Sequence, residues 1–349
     1  MKKILFTGGG SAGHVVPNIA LMEEILSNGG IDVCYMGTDG IEKRLISEWK
    51  IPFYQIECPK LVRGGWHRLR QNLKIPAAVL RAEKQALDGL NTFQPDVVFS
   101  KGGYVALPVV FAAKKLHIPC FAHESDFSLG LANRLSAGKC QCVFTSFPET
   151  AQKLRCGKYS GAPIRKSIFA ATKAESRKKF GIPFHEKVIL VFGGGSGSAI
   201  INEALRKHLK TLTQKYVIIH VCGKGNLSRN NLKNYHQFEF IADMGAAYAC
   251  ADFIISRAGA GTVFEILALK KPSILIPLEG QTRGDQVENA VYFSKKHLCH
   301  VLRQAHLETL PKTVDEAFAD EKMKTFLSEC NYGQGNEIIL RELYKTLQK

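Results

Sequence analysis

Two α/β domains, each a doubly wound parallel sheet, are predicted for this chain, and three observations predict them. At 349 residues it exceeds what one hydrophobic core usually supports. An apolar run that enters a glycine cluster and then a helical pattern occurs twice, at Ile4–Phe6 with Gly8–Gly13 and at Lys187–Phe192 with Gly193–Ser198. Further short apolar runs alternate with helical or glycine-rich sequence throughout, the pattern of β-α-β units.

In the first half the helical pattern runs from His14 to Ser27 and stops at Gly29-Gly30. Pro17 is placed in its first turn, where a missing N–H costs nothing. Strands are expected at Asp32–Met36, Asp96–Phe99, Pro119–Ala122 and Cys142–Thr145. The second half starts at Lys187–Phe192, continues in a helix to about Leu212, and has strands at Tyr216–Val221, Asp252–Ile255 and Ser273–Ile276. The join falls near Gly161-Ala162-Pro163, so residues 1–162 form the first domain and 163–335 the second. Residues 336–349 form a helix with Ile338, Ile339, Leu343 and Leu347 on one face, able to pack back across the junction.

Composition narrows the function classes. With 45% hydrophobic and 22% charged residues, the chain is globular rather than disordered. Its ten cysteines are scattered, and Cys140 and Cys142 lack C-x-x-C spacing, which predicts reduced thiols and no structural metal. Only Ile4–Phe6 follows the N-terminal lysines, too short for a signal peptide, and no apolar run approaches the ~20 residues that span a bilayer. A cytoplasmic location is expected. The net charge of +16 points to an anionic partner. Nucleic acid is the weakest candidate and is not expected as a partner, because zinc-finger spacing, an RNP motif and a basic zipper are all missing.

Both glycine loops sit where a strand meets a helix, so backbone amides can face a diphosphate without a blocking Cβ. Tight packing of helix on strand would require the same glycines. Gly8-x-Gly10-x-x-Gly13 matches the dinucleotide fingerprint, but the second strand ends Met36-Gly37-Thr38 with Asp39 only in the next loop, which disfavours a dehydrogenase.

More specific strings are Gly8-Gly9-Gly10-Ser11-Ala12-Gly13-His14-Val15-Val16-Pro17, Lys101-Gly102-Gly103-Tyr104-Val105, His123-Glu124-Ser125-Asp126, Gly130-Leu131-Ala132-Asn133 and Gly161-Ala162-Pro163-Ile164-Arg165. Phe192-Gly193-Gly194, Phe240-Ile241-Ala242-Asp243-Met244, Ser256 to Thr262, Glu265, Asp285-Gln286 and Asn289-Ala290 follow in the second half. In this order they resemble the MurG family, glycosyltransferases of family 28. The sequence departs from the family at Gly195, where a serine is common, at Ser125-Asp126, where Gln-Asn is commoner, and at Ala12, which replaces a glycine.

The resemblance implies a GT-B fold, two facing Rossmann-like domains with an interdomain cleft. It implies transfer of N-acetylglucosamine from UDP-N-acetylglucosamine to the 4-hydroxyl of the muramyl sugar in lipid I, with inversion, giving lipid II for peptidoglycan. Donor contacts are expected from Ser11, Ala12, Gly13, Arg165, Gly195, Ser196, Ile241, Ala260, Gly261, Thr262, Glu265 and Gln286. Arg165 and the second glycine loop face the diphosphate, with Ser196 or bare amides in place of the family serine. Glu265, expected in the first turn of its helix, holds the ribose, Gln286 donates to and accepts from the sugar hydroxyls, and Ile241 meets the uracil through its backbone. His14, Tyr104, Asp126 and Asn133 take the acceptor.

The reaction needs a general base and stabilisation of departing UDP. Glu124, with His123 as partner, and His14 are the catalytic candidates: Glu124 in the base machinery, His14 binding the acceptor diphosphate or relaying the proton. No cofactor and no fixed metal are expected, a divalent ion being held only by the diphosphates. Seven basic residues against Glu83 alone between Lys60 and Lys84, interleaved with Trp66, Leu69 and Leu73 and including Arg68 and Arg70, predict docking on an anionic membrane surface. The protein is therefore expected on the cytoplasmic face of the membrane as a peripheral protein. A UDP-N-acetylglucosamine 2-epimerase, a diacylglycerol sugar transferase and a nucleotide-sugar-binding protein without turnover are the alternatives; the presence of both His14 and Glu124 argues against the last.

Overall fold

The computed structural model describes residues 1–59, 75–195, 197–230, 232–280 and 284–348. Backbone packing separates two units, Met1–Arg165 with Gly333–Lys349, and Lys166–Tyr332. These limits lie a few residues from the domain boundaries expected from sequence.

The first unit runs β1 (Lys2–Thr7), α1 (Ala12–Asn28), β2 (Ile31–Gly37), α2 (Ile41–Ile46), β3 (Phe53–Gln55), α3 (Ile75–Phe93), β4 (Val97–Ser100), α4 (Ala106–Lys115), β5 (Cys120–Glu124), α5 (Leu131–Ser136), β6 (Cys142–Thr145), α6 (Pro148–Gln152) and β7 (Gly157–Tyr159). The second runs α7 (Lys173–Phe180), β8 (Val188–Phe192), α8 (Ala199–Leu212), β9 (Val217–Val221), β10 (Tyr235–Phe238), α9 (Met244–Cys250), β11 (Phe253–Ser256), α10 (Ala260–Ala268), β12 (Ser273–Leu275), α11 (Asp285–Lys295), β13 (His300–Val301), α12 (Leu310–Phe318) and α13 (Glu321–Glu329). A final helix, α14 (Gly335–Leu347), returns to the first unit.

Every strand pairing is parallel, in the orders β3-β2-β1-β4-β5-β6-β7 and β10-β9-β8-β11-β12-β13. Helices cover both faces of such sheets, so the strands bury both sets of side chains and read as unbroken apolar runs. In the first unit Ile4, Phe6, Val33, Tyr35, Val97, Phe99, Phe121 and Phe144 pack under α1 and α14. The alternate residues Leu5, Cys34, Met36, Val98, Cys120, Ala122 and Val143 pack under α3 and α4. Each sheet reverses its direction of growth once, between β1 and β4 and between β8 and β11. Loops at the carboxyl ends of those strand pairs border the crevices where ligands of doubly wound sheets bind.

Two local expectations change. Helix α1 begins at Ala12, with Ser11 as an extended N-cap, so Pro17 lies in the second turn and Gly13 loses the amide that would bond its carbonyl. On α14 the buried stripe is Asn336, Ile339, Leu340, Leu343 and Leu347, with Leu340 replacing the half-buried Ile338. All ten cysteines are free.

Asn336 fixes α14. Its Oδ1 accepts from the Ile164 amide at 2.8 Å, and its Nδ2 donates to the Ile164 carbonyl at 2.9 Å and to the Ala20 carbonyl at 3.4 Å. Both backbone groups of Ile164 are buried, and each would cost about 1–3 kcal/mol if left unpaired. Asn336→Ala is therefore expected to destabilise the chain by about 2 kcal/mol or more in urea denaturation. Removal of the exposed Lys345–Glu342 pair by Lys345→Ala should cost no more than about 1 kcal/mol. Equal midpoints for the two variants would show that Asn336 does not anchor the helix.

Candidate functional site

In the first unit the glycine loop is packed rather than open. A Cβ on Gly9 would lie 2.5 Å from the Glu42 carboxylate, and one on Gly10, whose φ is +80°, would lie 2.5 Å from the Tyr104 ring. Glu42, fully buried, accepts from the Gly10 amide at 3.1 Å, from the Thr38 amide at 3.0 Å and from the Thr38 hydroxyl. The Gly10 amide is thereby withdrawn from ligand binding. Ser11, Ala12 and Gly13 continue the loop into the first turn of α1.

His14 stands on that turn with Nδ1 3.0 Å from the Gly9 carbonyl and 3.0 Å from Ser11 Oγ. A carbonyl only accepts, so Nδ1 carries a proton, and in the uncharged form of the ring Nε2 is the acceptor nitrogen. The β4 loop lies alongside: a Cβ on Gly103 would meet the Gly9 carbonyl at 2.5 Å and the His14 ring at 3.1 Å.

Glu124 closes β5. Its Oε1 accepts from the Asp126 amide at 3.1 Å, and its Oε2 from the Gly130 amide at 2.8 Å and Asn133 Nδ2 at 3.0 Å. Three of roughly four lone-pair directions are thus taken up in shaping the 124–133 loop. The expected partnership with His123 is corrected: successive strand residues face opposite sides. His123 is fully buried, its Nε2 is 3.0 Å from the Gly161 carbonyl, and burial, with help from the positive charge of Lys101, pushes its pKa far down and keeps it neutral. Lys101, also buried, lies in the field of Glu124 and Asp126. Asn133, 4% exposed, keeps Oδ1 without a donor among the described residues, beside Gly102, where an acceptor hydroxyl would satisfy it. His14, Tyr104, Glu124, Asp126 and Asn133 therefore all lie at or just beyond the carboxyl ends of β1, β4 and β5, on the loops and first helical turns there.

In the second unit the corresponding loop is anchored at both ends and open in the middle. A Cβ on Gly193 would strike Ser198 at 2.4 Å, and one on Gly197 the Cys222 carbonyl at 2.2 Å, whereas one on Gly194 or Gly195 would meet nothing within 4 Å among the described residues. Ser198 caps α8, its Oγ accepting from the Ile201 amide at 3.4 Å. The neighbouring β11 loop leads into α10, whose first residues are Ala260, Gly261 and Thr262. Because α10 begins at Ala260, Glu265 falls in the second turn, not the first as expected; its Oε2 accepts from the Tyr248 hydroxyl at 2.9 Å.

Gln286 is the second residue of α11, and its Oε1 accepts from the Leu278 amide at 3.0 Å. This bond orients the amide, whose N–H donors and second Oε1 lone pair remain to donate to and accept from sugar hydroxyls. Ile241 follows β10 with a buried side chain, leaving its backbone as the part that can serve a ligand. Arg165 is grouped with the first unit, apart from the other expected donor residues of the second half. Ser196 and the membrane candidates Trp66, Arg68, Leu69, Arg70 and Leu73 lie outside the described residues.

Three buried ions beside these loops escaped the sequence reading: Glu42, Lys101 and Arg257. Glu42 gives no sequence signal beyond an acidic residue near the start of a short helix. Lys101 and Arg257 each follow an apolar strand directly, a position where a charge needs a reason. A cavity of about 410 Å³ lined by Lys2, Asp96, Pro119, Gln141 and Thr346 opens at the amino-terminal edge of the first sheet, away from all these loops. Among the described residues no group of three or more His, Cys, Asp or Glu can hold a metal ion, and no helix is long and apolar enough to cross a membrane.

Residues 4–145 match the glycosyltransferase family 28 N-terminal domain and residues 188–336 the family 28 C-terminal domain. A Clostridium perfringens protein named UDP-N-acetylglucosamine–N-acetylmuramyl-(pentapeptide) pyrophosphoryl-undecaprenol N-acetylglucosamine transferase is 42% identical over 97% of this chain and 96% of its own length. A Lachnoclostridium phytofermentans protein of the same name is 43% identical, with 92% of each chain covered. Among solved structures, Acinetobacter baumannii MurG superposes with a TM-score of 0.78 at 25% identity, covering 99% of this chain and 100% of that one. A Neisseria meningitidis UDP-GlcNAc 2-epimerase shares the fold, with a TM-score of 0.67 at 16% identity over 99% of this chain and 100% of its own. The chain is a two-domain glycosyltransferase of family 28 and belongs within it to the MurG family of N-acetylglucosamine transferases.

Proposed function

We propose that this chain transfers N-acetylglucosamine from UDP-N-acetylglucosamine to the 4-hydroxyl of the N-acetylmuramyl residue of lipid I, with inversion, releasing UDP and lipid II. The observation that carries this reading is near-full-length kinship with transferases of that name, joined to an open glycine loop beside a helix N-terminus in the second unit. UDP-sugar is assigned to the second unit, with the diphosphate at Gly194 and Gly195, the ribose at Glu265, the sugar on the Gln286 amide donors, and uracil on the Ile241 backbone. The acceptor is assigned to the first unit, at Tyr104, Asp126 and Asn133. Ser11, Ala12 and Gly13 are assigned to the acceptor side, because Glu42 holds their loop and withdraws the Gly10 amide from a donor diphosphate.

In-line attack forms the bond from the muramyl oxygen to the anomeric carbon as the bond to UDP breaks, and the hydroxyl proton passes to a base. We assign that proton to His14 Nε2, the acceptor nitrogen of a ring whose other nitrogen is pinned to Gly9. Glu124 then serves the base machinery indirectly, by holding the Asp126–Asn133 loop. Any divalent ion is proposed to travel with the diphosphates rather than on fixed protein ligands.

Membrane docking is proposed for segment 60–84, which supports a peripheral location at the cytoplasmic face. Its one acidic residue, Glu83, is turned inward on Lys115 at 2.9 Å, while Leu80, Arg81 and Lys84 of α3 are exposed. The solvent side is therefore basic with an apolar residue among the charges, which suits anionic headgroups.

Labelled UDP-N-acetylglucosamine with a short-chain lipid I analogue tests the reaction. Product is expected only when both are present, and turnover in EDTA should persist. His14→Ala should lower turnover ~10²–10⁴-fold, as for loss of a general base. Glu124→Gln, which can still accept but not as an anion, should lose less and raise the acceptor KM. Release of free sugar without acceptor would support an epimerase instead, and near-parental turnover of His14→Ala would remove it as base. For the membrane, Trp66→Ala with Arg68→Glu and Arg70→Glu should end sedimentation with anionic vesicles while UDP affinity stays at the parental value; unchanged sedimentation would refute docking through this segment.

A further inference from the structure

Arg257 follows β11 and is 9% exposed, yet it makes four hydrogen bonds. Its Nη1 donates to the Ile276 carbonyl at 3.2 Å, the Pro277 carbonyl at 3.1 Å and Gln304 Oε1 at 3.0 Å, and its Nη2 donates to Ser198 Oγ at 2.8 Å. One guanidinium thus joins the ends of β11 and β12 to the N-cap of α8. The link is direct, since β8 and β11 are neighbours with Phe192 opposite Ser256.

All four acceptors are neutral. The acidic group nearest in effect is Glu279, which is itself ion-paired with Arg303. Arg257 therefore carries a buried positive charge that no carboxylate among the described residues neutralises in an ion pair. Such a charge is costly unless an anion completes the site. It lies under the amino end of α8, whose amides already favour an anion. Above that end, Gly194 and Gly195 of the glycine loop have open space beside them among the described residues.

We infer that Arg257 is the positioning residue of the donor diphosphate subsite: it fixes Ser198 and the start of α8 beneath the glycine loop, and its charge strengthens the hold on the diphosphate without touching it. The inference rests on the assignment of UDP to the second unit. An arginine suits the task because its planar fork reaches acceptors on three elements at once, which a lysine cannot do.

Calorimetry with UDP and with uridine, which lacks the diphosphate, separates this role from general support of the fold. Arg257→Gln should weaken UDP roughly ten- to a hundredfold, the range for losing hydrogen bonds that involve a charged group, while uridine affinity stays within about twofold. Ser198→Ala, which leaves the charge in place, should weaken UDP less and again spare uridine, and it carries the test if the Arg257 variant does not fold. In the transfer assay the loss should appear in the KM for UDP-N-acetylglucosamine, and Arg257→Lys should recover only part of it. Equal fractional losses for UDP and uridine, or unchanged UDP affinity in a folded variant, would overturn the inference. A parental protein that binds no UDP would overturn the donor assignment itself, and the inference with it.

Discussion

A glycine loop at the end of a parallel strand keeps its shape only if something holds it from beneath, and in both units a buried ion does so. In the first, the Glu42 carboxylate grips the Gly10 amide and the Thr38 turn. In the second, the Arg257 guanidinium grips Ser198 and the carbonyls at the end of β12. The loops descend from the same strand–glycine–helix pattern, but the ions beneath them have opposite signs. The cation beneath the second loop attracts a diphosphate, while the carboxylate beneath the first takes up the Gly10 amide, so two similar loops present different groups to a ligand.

The same division orders the rest of the chemistry. Around the first loop stand groups that suit hydroxyls: the imidazole of His14, the Oδ1 of Asn133, which has no donor among the described residues, and the Tyr104 ring that fills the space over Gly10. Around the second stand two helix N-termini, at Ala199 and Ala260, together with the Glu265 carboxylate held by Tyr248. Rigid support is shared in both cases, because Glu42 holds the Gly10 amide and Arg257 the Ile276 and Pro277 carbonyls, backbone groups that follow the carboxyl ends of strands. Glu124 illustrates this: its three donors come from its own loop, and the carboxylate is spent on shape.

Much of this was legible in the sequence because buried parallel strands must be apolar on both faces. Val188–Phe192 and Cys142–Thr145 announce themselves as unbroken runs, and the glycine clusters after β1 and β8 mark where ligands belong. The edge strands β3, β7, β10 and β13 were not legible. They are two to four residues long, and Gly157-Lys158-Tyr159 or His300-Val301 carries no apolar run to read. Helix starts were displaced by one or two residues at Ala12 and Ala260, enough to move Pro17 and Glu265 into second turns. The roles of Glu42 and Arg257 depend on contacts between residues far apart in sequence, such as Arg257 with Ser198, and no local pattern reports those.

Amide hydrogen exchange with and without UDP tests the division of labour most directly. Slowed exchange confined to the second unit, over residues 193–201 and 258–263, with no change over residues 8–14, is the predicted result. Protection of residues 8–14 as large as that of 193–201, or none at 193–201, would contradict it.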